Sequence, residues 1–250
     1  MSERNPWHPD LRCGDWREVL ADVGEVDAVI TDPPFSARTH VGQRTGSSTR
    51  KTTLVYNGID EAWARDFIAA WEPRCRWWFA IWSDHTAQRW WESALQDAGW
   101  YTFAPVIWLR KHPPPRMAGD GPTSAADYLT IARRRRRLPS SRKGSRPGYY
   151  LAPAYNGASG ARVHPGGKCL KTMRRVLQDY TRPGDLVCDP CAGGGTTLLA
   201  AAQEGRRSVG AELDPETHAK AQARIDAALA QADLYTQTQI ARAIDQELPW

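Results

Sequence analysis

The stretch DLVCDPCAGGGTTLLAAAQ, residues 185–203, decides the fold class. Its first four residues, 185–188, form a short apolar run that predicts a buried strand, and residues 196–203 predict a helix that begins at a capping threonine. Between them, three consecutive glycines let the backbone approach a ligand closely, as in nucleotide-binding strand–turn–helix units. The stretch therefore predicts an α/β fold with a ligand at this turn, although a purely structural tight turn remains the alternative.

The next predicted strand, residues 208–213, supports a nucleoside-containing ligand. Glu212 lies near the end of this strand and follows Asp189 by 23 residues. In dinucleotide-binding folds an acidic side chain about 20 residues after the first strand accepts hydrogen bonds from a ribose. Glu212 is therefore a candidate ribose ligand.

Strands and helices alternate along the whole chain, which indicates a largely parallel sheet in a single domain, residues 1–250. Pro and Gly separate most of the predicted elements. Residues 137–163 are predicted to be a loop, and the tail, residues 233–250, holds at most one more helix. The other predicted strands are 26–31, 76–82, 101–109 and 127–132, and the other predicted helices are 60–71, 84–98, 168–180 and 215–232.

Composition excludes several classes of protein. With 41% hydrophobic and 24% charged residues, the chain has the balance of a folded globular protein. It contains neither the apolar run of a membrane helix nor the apolar core of a signal peptide near its first residues. Five cysteines, an odd number, argue against a disulfide framework. We therefore expect a cytoplasmic protein with no membrane partner.

The basic residues are concentrated in two windows, residues 33–59 and 128–178. Together the windows hold 17 of the 33 Lys and Arg residues and none of the 28 acidic residues. An acidic body with two basic inserts is typical of a protein that binds a polyanion, although solvated arginine-rich loops would show the same pattern.

A second candidate site is Asp32-Pro33-Pro34-Phe35, which directly follows the predicted strand 26–31. The prolines fix the directions of the local carbonyl groups, so a carboxylate and a carbonyl can together accept both hydrogens of an exocyclic amino group. Phe35 offers a face on which a planar base could stack. The structural alternative is a strand-ending turn with a core Phe.

No metal site is expected. Cys188 and Cys191 form a C-x-x-C pair, but the other cysteines and the histidines lack the spacing of a zinc site. The tryptophans, nine of which fall within residues 63–108, have the spacing of core positions.

Together these motifs resemble the DNA amino-methyltransferases that use S-adenosylmethionine. Asp32 to Phe35 is similar to the catalytic D/N/S-P-P-Y/F/W motif of that family, and residues 189–196 are similar to its D-P-F-x-G-S-G-T cofactor turn. Cys191 and Gly194 depart from the usual Phe and Ser of that turn.

The order of the motifs is similar to that of the circularly permuted β class, in which the catalytic motif precedes the cofactor motif. Residues 164–168, HPGGK, resemble the H-P-x-x-K-P element of that class, and residues 13–16 contain its opening G-D pair. The resemblance implies a class I, Rossmann-like methyltransferase sheet in permuted order, with a small target-recognition insert at about residues 112–163. It implies these cofactor-binding residues: Asp15, His164, Lys168, Asp189, Pro190, Cys191, Ala192, Gly193, Gly195, Thr196, Glu212, Leu213 and Asp214.

The implied reaction is methyl transfer to the N6 amino group of an adenine flipped out of DNA, with Asp32, Pro33, Pro34 and Phe35 as the catalytic residues. The basic windows would contact phosphates. The expected DNA-binding residues are Arg38, Arg44, Arg50, Lys51, Arg133, Arg134, Arg135, Arg136, Arg137, Arg142, Lys143 and Arg146.

Three alternatives stay open from sequence. Cytosine N4 methylation uses the same machinery, although Asp as the first motif residue favours adenine by the resemblance. A non-catalytic protein that binds the cofactor and masks DNA sites is a second alternative. A nicotinamide-dependent oxidoreductase is disfavoured because the turn lacks the last glycine of G-x-G-x-x-G. The resemblance implies a bacterial or phage-encoded enzyme and allows a homodimer, and the sequence leaves open whether the protein accompanies a restriction nuclease, belongs to a phage or acts alone.

Overall fold

A computed structural model describes residues 7–36, 58–111, 113, 121–135, 144–152 and 168–246, with side chains described as far as residue 231. The strands are β1 (Asp10–Cys13), β2 (Val26–Thr31), β3 (Cys75–Ser83), β4 (Tyr101–Thr102), β5 (Val106–Arg110), β6 (Ala126–Arg133), β7 (Tyr149–Ala152), β8 (Leu186–Asp189) and β9 (Arg207–Glu212). The helices are α1 (Trp16–Val19), α2 (Glu61–Trp71), α3 (Ala87–Asp97), α4 (Leu170–Tyr180), α5 (Thr196–Gln203) and α6 (Pro215–Gln246).

The strands form one sheet in the order β1-β9-β8-β2-β3-β6-β5-β7, and the short β4 pairs with β6. The five strands from β1 to β3 are mutually parallel. β6 is antiparallel to both β3 and β5, and β7 runs parallel to β5. The predicted α/β class with a largely parallel sheet is confirmed.

Helices cover both faces of the sheet. On one face, α1, α2 and α3 pack through an aromatic cluster in which the Phe67 ring lies 5.3 Å from Trp16 and 5.4 Å from Trp91. On the other face, α4 and α5 pack against apolar residues of the central strands, and α6 packs on α5 and β1. The aromatic residues beneath α1, α2 and α3 thus belong to the core, as their spacing predicted.

The chain reverses its winding direction between β8 and β2. From β8 it passes through α5 to β9, whereas from β2 it passes through α2 to β3 on the other side. Open α/β sheets bind ligands beyond the carboxyl ends of the strands at such a switch point. We call the edge at which β2 and β8 end the carboxyl edge, and the opposite edge the amino edge.

Three predicted elements differ in the structure. The predicted strand 101–109 is divided into β4 and β5, with Pro105, which has no amide hydrogen for a ladder, between them. The predicted loop 137–163 contains β7, whose alternating exposed and buried residues fit an edge strand. The tail continues α6 to Gln246 instead of forming a separate helix, because residues 216–246 contain no Gly or Pro.

The proposed recognition insert, residues 112–163, contains two strands of the sheet itself. β6 lies between β3 and β5, and β7 is the outer strand beyond β5. Because β6 runs antiparallel, its first residue is at the carboxyl edge and Arg133 is at the amino edge, beside Trp78 near the start of β3. In this part of the chain, the backbone leaves the sheet at the carboxyl edge after Arg110 and after Ala152, and it enters the sheet there at Ala126.

Candidate active site

The catalytic motif predicted from sequence begins where β2 ends at the carboxyl edge. β2 is buried along nearly its whole length, and Asp32 is the first residue beyond it, with a side chain that is 24% exposed. Pro33 and Pro34 follow, and the Phe35 ring packs partly against the core beneath α4 and α5. The motif is thus placed by a buried strand, and its carboxylate remains accessible.

Asp84 anchors the segment that follows the motif. One of its carboxylate oxygens accepts hydrogen bonds from the Ser36 backbone N–H, at 3.0 Å, and from the Ser36 hydroxyl, at 2.5 Å. Its other oxygen accepts from the N–H groups of Thr86 and Ala87 at the start of α3. Sequence reasoning began a helix at Asp84 but did not connect this residue with the site, because its partner is 48 positions away.

Lys168 lies directly on the catalytic motif. Its ammonium Nζ is 2.8 Å from both carboxylate oxygens of Asp32 and 5.1 Å from the centre of the Phe35 ring. Its side chain is only 8% exposed. The sequence placed Lys168 among the cofactor residues, and the structure brings it to Asp32.

The glycine turn between β8 and α5 occupies the other side of the switch point. Gly193 and Gly195 have φ angles of 51° and 71°, in the left-handed region that glycine adopts without strain. The Ala192 N–H donates to the backbone oxygen of Ala211 at 2.8 Å, which fixes the turn to β9. The predicted residues Asp189 to Thr196 therefore lie in one turn beside the carboxyl end of β2.

The carboxylates of the two motifs lie close enough to interact. Burial, with a smaller contribution from the negative charge of Asp32, raises the pKa of Asp189 to about 7. The Cys191 backbone N–H, which donates to Asp189 at 3.2 Å, acts in the opposite direction. The catalytic and glycine-turn motifs therefore share one electrostatic environment.

Glu212 ends β9 at the same edge and is almost fully buried. Its Oε1 accepts a hydrogen bond from the Asp214 N–H at 2.8 Å, and its backbone oxygen accepts from the Gly14 N–H at 2.9 Å. Asp15, next in the chain, caps α1. Leu213 is 49% exposed beside these groups. The structure thus brings Asp15, Glu212, Leu213 and Asp214 to the carboxyl edge.

The expected DNA-binding arginines that the structure describes lie at the amino edge, away from the motifs: Arg133, Arg134, Arg135 and Arg146. Arg134 donates to the backbone oxygens of Glu72 and Cys75 and stacks over Trp100. Arg133 lies over the rings of Tyr101 in β4 and of Phe103, which follows β4. Arg135 is exposed to solvent.

Arg146 also packs into the protein at this edge. Its guanidinium lies 4.5 Å from the Trp78 ring centre and 5.5 Å from that of Tyr180, and it donates to the Asp179 backbone oxygen. The remaining predicted residues lie outside the described part of the chain: Arg38, Arg44, Arg50, Lys51, Arg136, Arg137, Arg142, Lys143 and His164.

Across the described ranges, no cluster of three or more His, Cys, Asp or Glu side chains is arranged to hold a metal ion. Within the same ranges, no helix combines the length and the apolarity that crossing a membrane requires.

Fold and site together define a class of protein. The features are those of a class I methyltransferase: a Rossmann-like sheet with an antiparallel β6, a glycine turn after β8, and an Asp-Pro-Pro-Phe motif across the switch point from that turn. A family model described as DNA methylase, N6_N4_Mtase, matches residues 26–223. The chain belongs to this family.

Solved structures agree with the fold. The M1.HpyAVI–SAM complex superposes with a TM-score of 0.66 at 22% identity, covering 87% of this chain and 98% of that one. The cytosine-N4-specific PvuII DNA methyltransferase gives a TM-score of 0.65 at 17% identity, covering 87% and 86%.

Curated relatives match over shorter segments. YubD of Escherichia coli (strain K12) is 41% identical over 69 residues, which cover 28% of this chain and 30% of YubD. The type II methyltransferase M.Cfr9I of Citrobacter freundii is 28% identical over 131 residues, which cover 49% of this chain and 44% of M.Cfr9I. The chain thus spans less than half the length of these relatives.

Proposed function

We propose that this protein transfers the methyl group of S-adenosylmethionine to the exocyclic N6 of adenine in DNA. One observation carries the proposal: the Asp32 motif and the glycine turn after β8 meet at the switch point of the sheet. A methyl donor in the turn and an amino acceptor at the motif would then face each other. Membership of the DNA methylase family supports DNA as the substrate.

The residues at the carboxyl edge fit the proposed cofactor. When bound, S-adenosylmethionine supplies a methyl group activated by a sulfonium. Glu212, held by the Asp214 N–H, presents a carboxylate to ribose hydroxyls, and the positive-φ glycines leave the backbone open to close approach. The exposed Leu213 offers an apolar surface for the adenine ring of the cofactor. The M1.HpyAVI–SAM complex has a similar fold with that cofactor bound.

At the motif, the chain's own groups activate the target amine. The Asp32 carboxylate and the Pro33 carbonyl accept the two amino hydrogens, which localises the nitrogen lone pair toward the methyl donor. As the N–C bond forms, the S–C bond of the donor would break to leave a thioether, and the methylated nitrogen would release one proton to water. Phe35 stacks on the flipped base. The protein supplies position and fixed charges, and no covalent bond to the enzyme is required.

Adenine is proposed over cytosine because the first motif residue is Asp. The PvuII enzyme, which is cytosine-N4-specific, has a similar fold, so the fold does not separate the two bases. The similarity to M.Cfr9I supports a modification enzyme of a bacterial restriction–modification system.

Product identification tests the proposal. The protein is incubated with unmethylated DNA and methyl-labelled S-adenosylmethionine, the DNA is digested to nucleosides, and the labelled base is identified by mass spectrometry. We expect N6-methyladenine, and we expect Asp32→Ala to lower its formation by at least about 100-fold. Asp97→Asn, an exposed carboxylate of α3 that pairs with Arg65, is the matched control and should retain full activity.

The other outcomes separate the alternatives. Label in N4-methylcytosine would support the same mechanism and show that the target base is cytosine and not adenine. Cofactor binding without label in any base would contradict methyl transfer to DNA and favour a protein that masks DNA sites.

A further inference from the structure

A chain of four alternating charges leads from β5 to the catalytic motif. Arg110 of β5 forms an ion pair with Asp127 of β6, and the second oxygen of Asp127 lies 3.7 Å from Lys168 Nζ. Lys168 in turn donates to both oxygens of Asp32. Asp127 and Lys168 are each only 8% exposed.

We propose that Lys168, held by Asp127, is a positioning residue that fixes the Asp32 carboxylate for attack by the target amine. The proposal rests on the proposed function, because it concerns the same methyl transfer. It assigns Lys168 to the catalytic motif rather than to the cofactor, and it gives Asp127 a role in the reaction.

Geometry explains why such a residue is needed. A carboxylate has about four lone-pair positions, so an ammonium on one side leaves others for an amino hydrogen. Asp32 lies at the end of a strand and is partly exposed, and its χ angles would otherwise be free to rotate. The Lys168 ammonium, bonded to both oxygens, restricts the carboxylate to one orientation.

Asp127 and Arg110 offset the electrostatic cost of burying the Lys168 ammonium. A buried ammonium needs more than one partner to replace its hydration, and Lys168 lies between two carboxylates. Asp127 is itself neutralised by Arg110, so the four groups together carry no net charge. The next carboxylate, Asp189, repels Asp32, and the ammonium opposes that repulsion.

Two measurements on the purified full chain separate positioning from cofactor binding: the single-turnover rate of methyl transfer to DNA at saturating S-adenosylmethionine, and the dissociation constant of that cofactor. We expect Lys168→Met to lower the rate by about 30-fold and Asp127→Asn by roughly tenfold. The cofactor dissociation constant should change less than about twofold in both. Lys168→Arg, which keeps the charge, should recover most of the rate.

A double-mutant cycle tests whether the two residues act as one unit. If Asp127 acts through Lys168, the double variant Lys168→Met/Asp127→Asn should be no slower than Lys168→Met alone. Lys220→Met is the matched control, since Lys220 pairs with Glu216 on the exposed face of α6, and it should leave both measurements unchanged.

A third measurement does not depend on activity. The chain has six lysines, so the side-chain ammonium resonance of Lys168 can be assigned by NMR through its loss in Lys168→Met. We expect this resonance to be protected from exchange with water and to shift in both Asp32→Asn and Asp127→Asn. The Asp97→Asn control should leave it in place.

Distinct results would overturn the two proposals. A Lys168→Met variant that keeps its rate but binds S-adenosylmethionine about tenfold more weakly would return Lys168 to the cofactor site. Additive rate losses, or a resonance unaffected by Asp32→Asn, would contradict the positioning role. If the wild-type protein methylates no DNA base, the proposed function fails, and the NMR result still decides whether Lys168 and Asp127 hold Asp32.

Discussion

Gly195 has much less room for a side chain than Gly193 in the same glycine turn. Its φ is 71°, and a Cβ built on it would lie 3.0 Å from Ile225 Cδ1 and 3.5 Å from Ala221 Cβ on α6. α6 thus packs directly against the glycine turn at Gly195. Any side chain at this position would have to move the turn or the helix.

We predict that Gly195→Ala lowers the free energy of unfolding by about 1–3 kcal/mol and weakens S-adenosylmethionine binding. The reason is twofold, since alanine is strained at positive φ and its methyl group would push the turn away from α6. Urea denaturation and calorimetric titration with the cofactor measure the two effects. Gly24→Ala is the matched control, because Gly24 has open space around it. Equal stability of the two variants would contradict the tight packing.

Sequence reasoning singled out individual residues of the carboxyl edge better than their partners. Asp32 and Asp189 directly follow short predicted strands, and Glu212 lies near the end of the next one. The contact between Lys168 and Asp32 spans 136 positions and depends on how α4 begins beside β2. No local pattern could have predicted it.

At the scale of elements, the direction of β6 decides where Arg133 and Arg134 lie. An antiparallel strand carries its end to the amino edge, so Arg133 and Arg134 lie far along the sheet from Asp32. Sequence reasoning found this strand but not its direction, which is set by pairing with β3 and β5. The prediction that these arginines bind DNA therefore rested on their charge alone.

We predict that Arg134→Ala destabilises the fold without changing the salt dependence of DNA affinity. Its guanidinium satisfies the backbone oxygens of Glu72 and Cys75 and pairs with the Glu72 carboxylate, so the loss should be about 1–3 kcal/mol. Arg135→Ala, an exposed neighbour, should change neither property. Urea denaturation and DNA titration at several salt concentrations provide the measurements. A flatter slope of log affinity against log salt in either variant would place this edge in the DNA interface.

Elements with strong local signals were predicted to the residue, and those set by pairing were not. The glycine turn and the helical pattern after it predicted the observed bounds of α5, Thr196–Gln203, but the threonine cap was wrong, because Gly195 is the N-cap and no side chain caps the helix. β7 was missed because its four residues lie in a Pro- and Gly-rich region, and it is a strand only because β5 provides a partner. The sheet class followed from the alternation of elements, whereas the strand order depends on long-range contacts.

At the scale of the whole molecule, the buried Asp189 links stability to pH. Its pKa is about 7 in the folded protein, against 3.8 as the ordinary value. Because the folded state holds a proton that the unfolded state releases, this group stabilises the fold most below pH 4. The stabilisation is lost as the pH rises toward 7.

We predict that the free energy of unfolding of the ligand-free protein falls by up to about 4 kcal/mol, from this group, between pH 4 and pH 7. In Asp189→Asn this decline should be absent, because the amide does not titrate. Urea denaturation at pH 4, 5.5 and 7 measures the difference between the two proteins. The control Asp97→Asn, at an exposed position, should follow the wild type. A parallel pH dependence in Asp189→Asn would contradict the raised pKa.

The pairing of β2 with β8 has a consequence during synthesis. The Leu186 N–H bonds to the Asp27 carboxylate across 159 positions, so the centre of the sheet joins distant parts of the chain. At roughly 5–20 residues per second, β2 leaves the ribosome about 10–30 seconds before β8 exists. During that interval an apolar strand presents an unpaired edge, the type of surface on which chains aggregate. Chaperone supply and slowed translation should therefore affect the yield of this protein more than that of a sheet built from neighbouring strands.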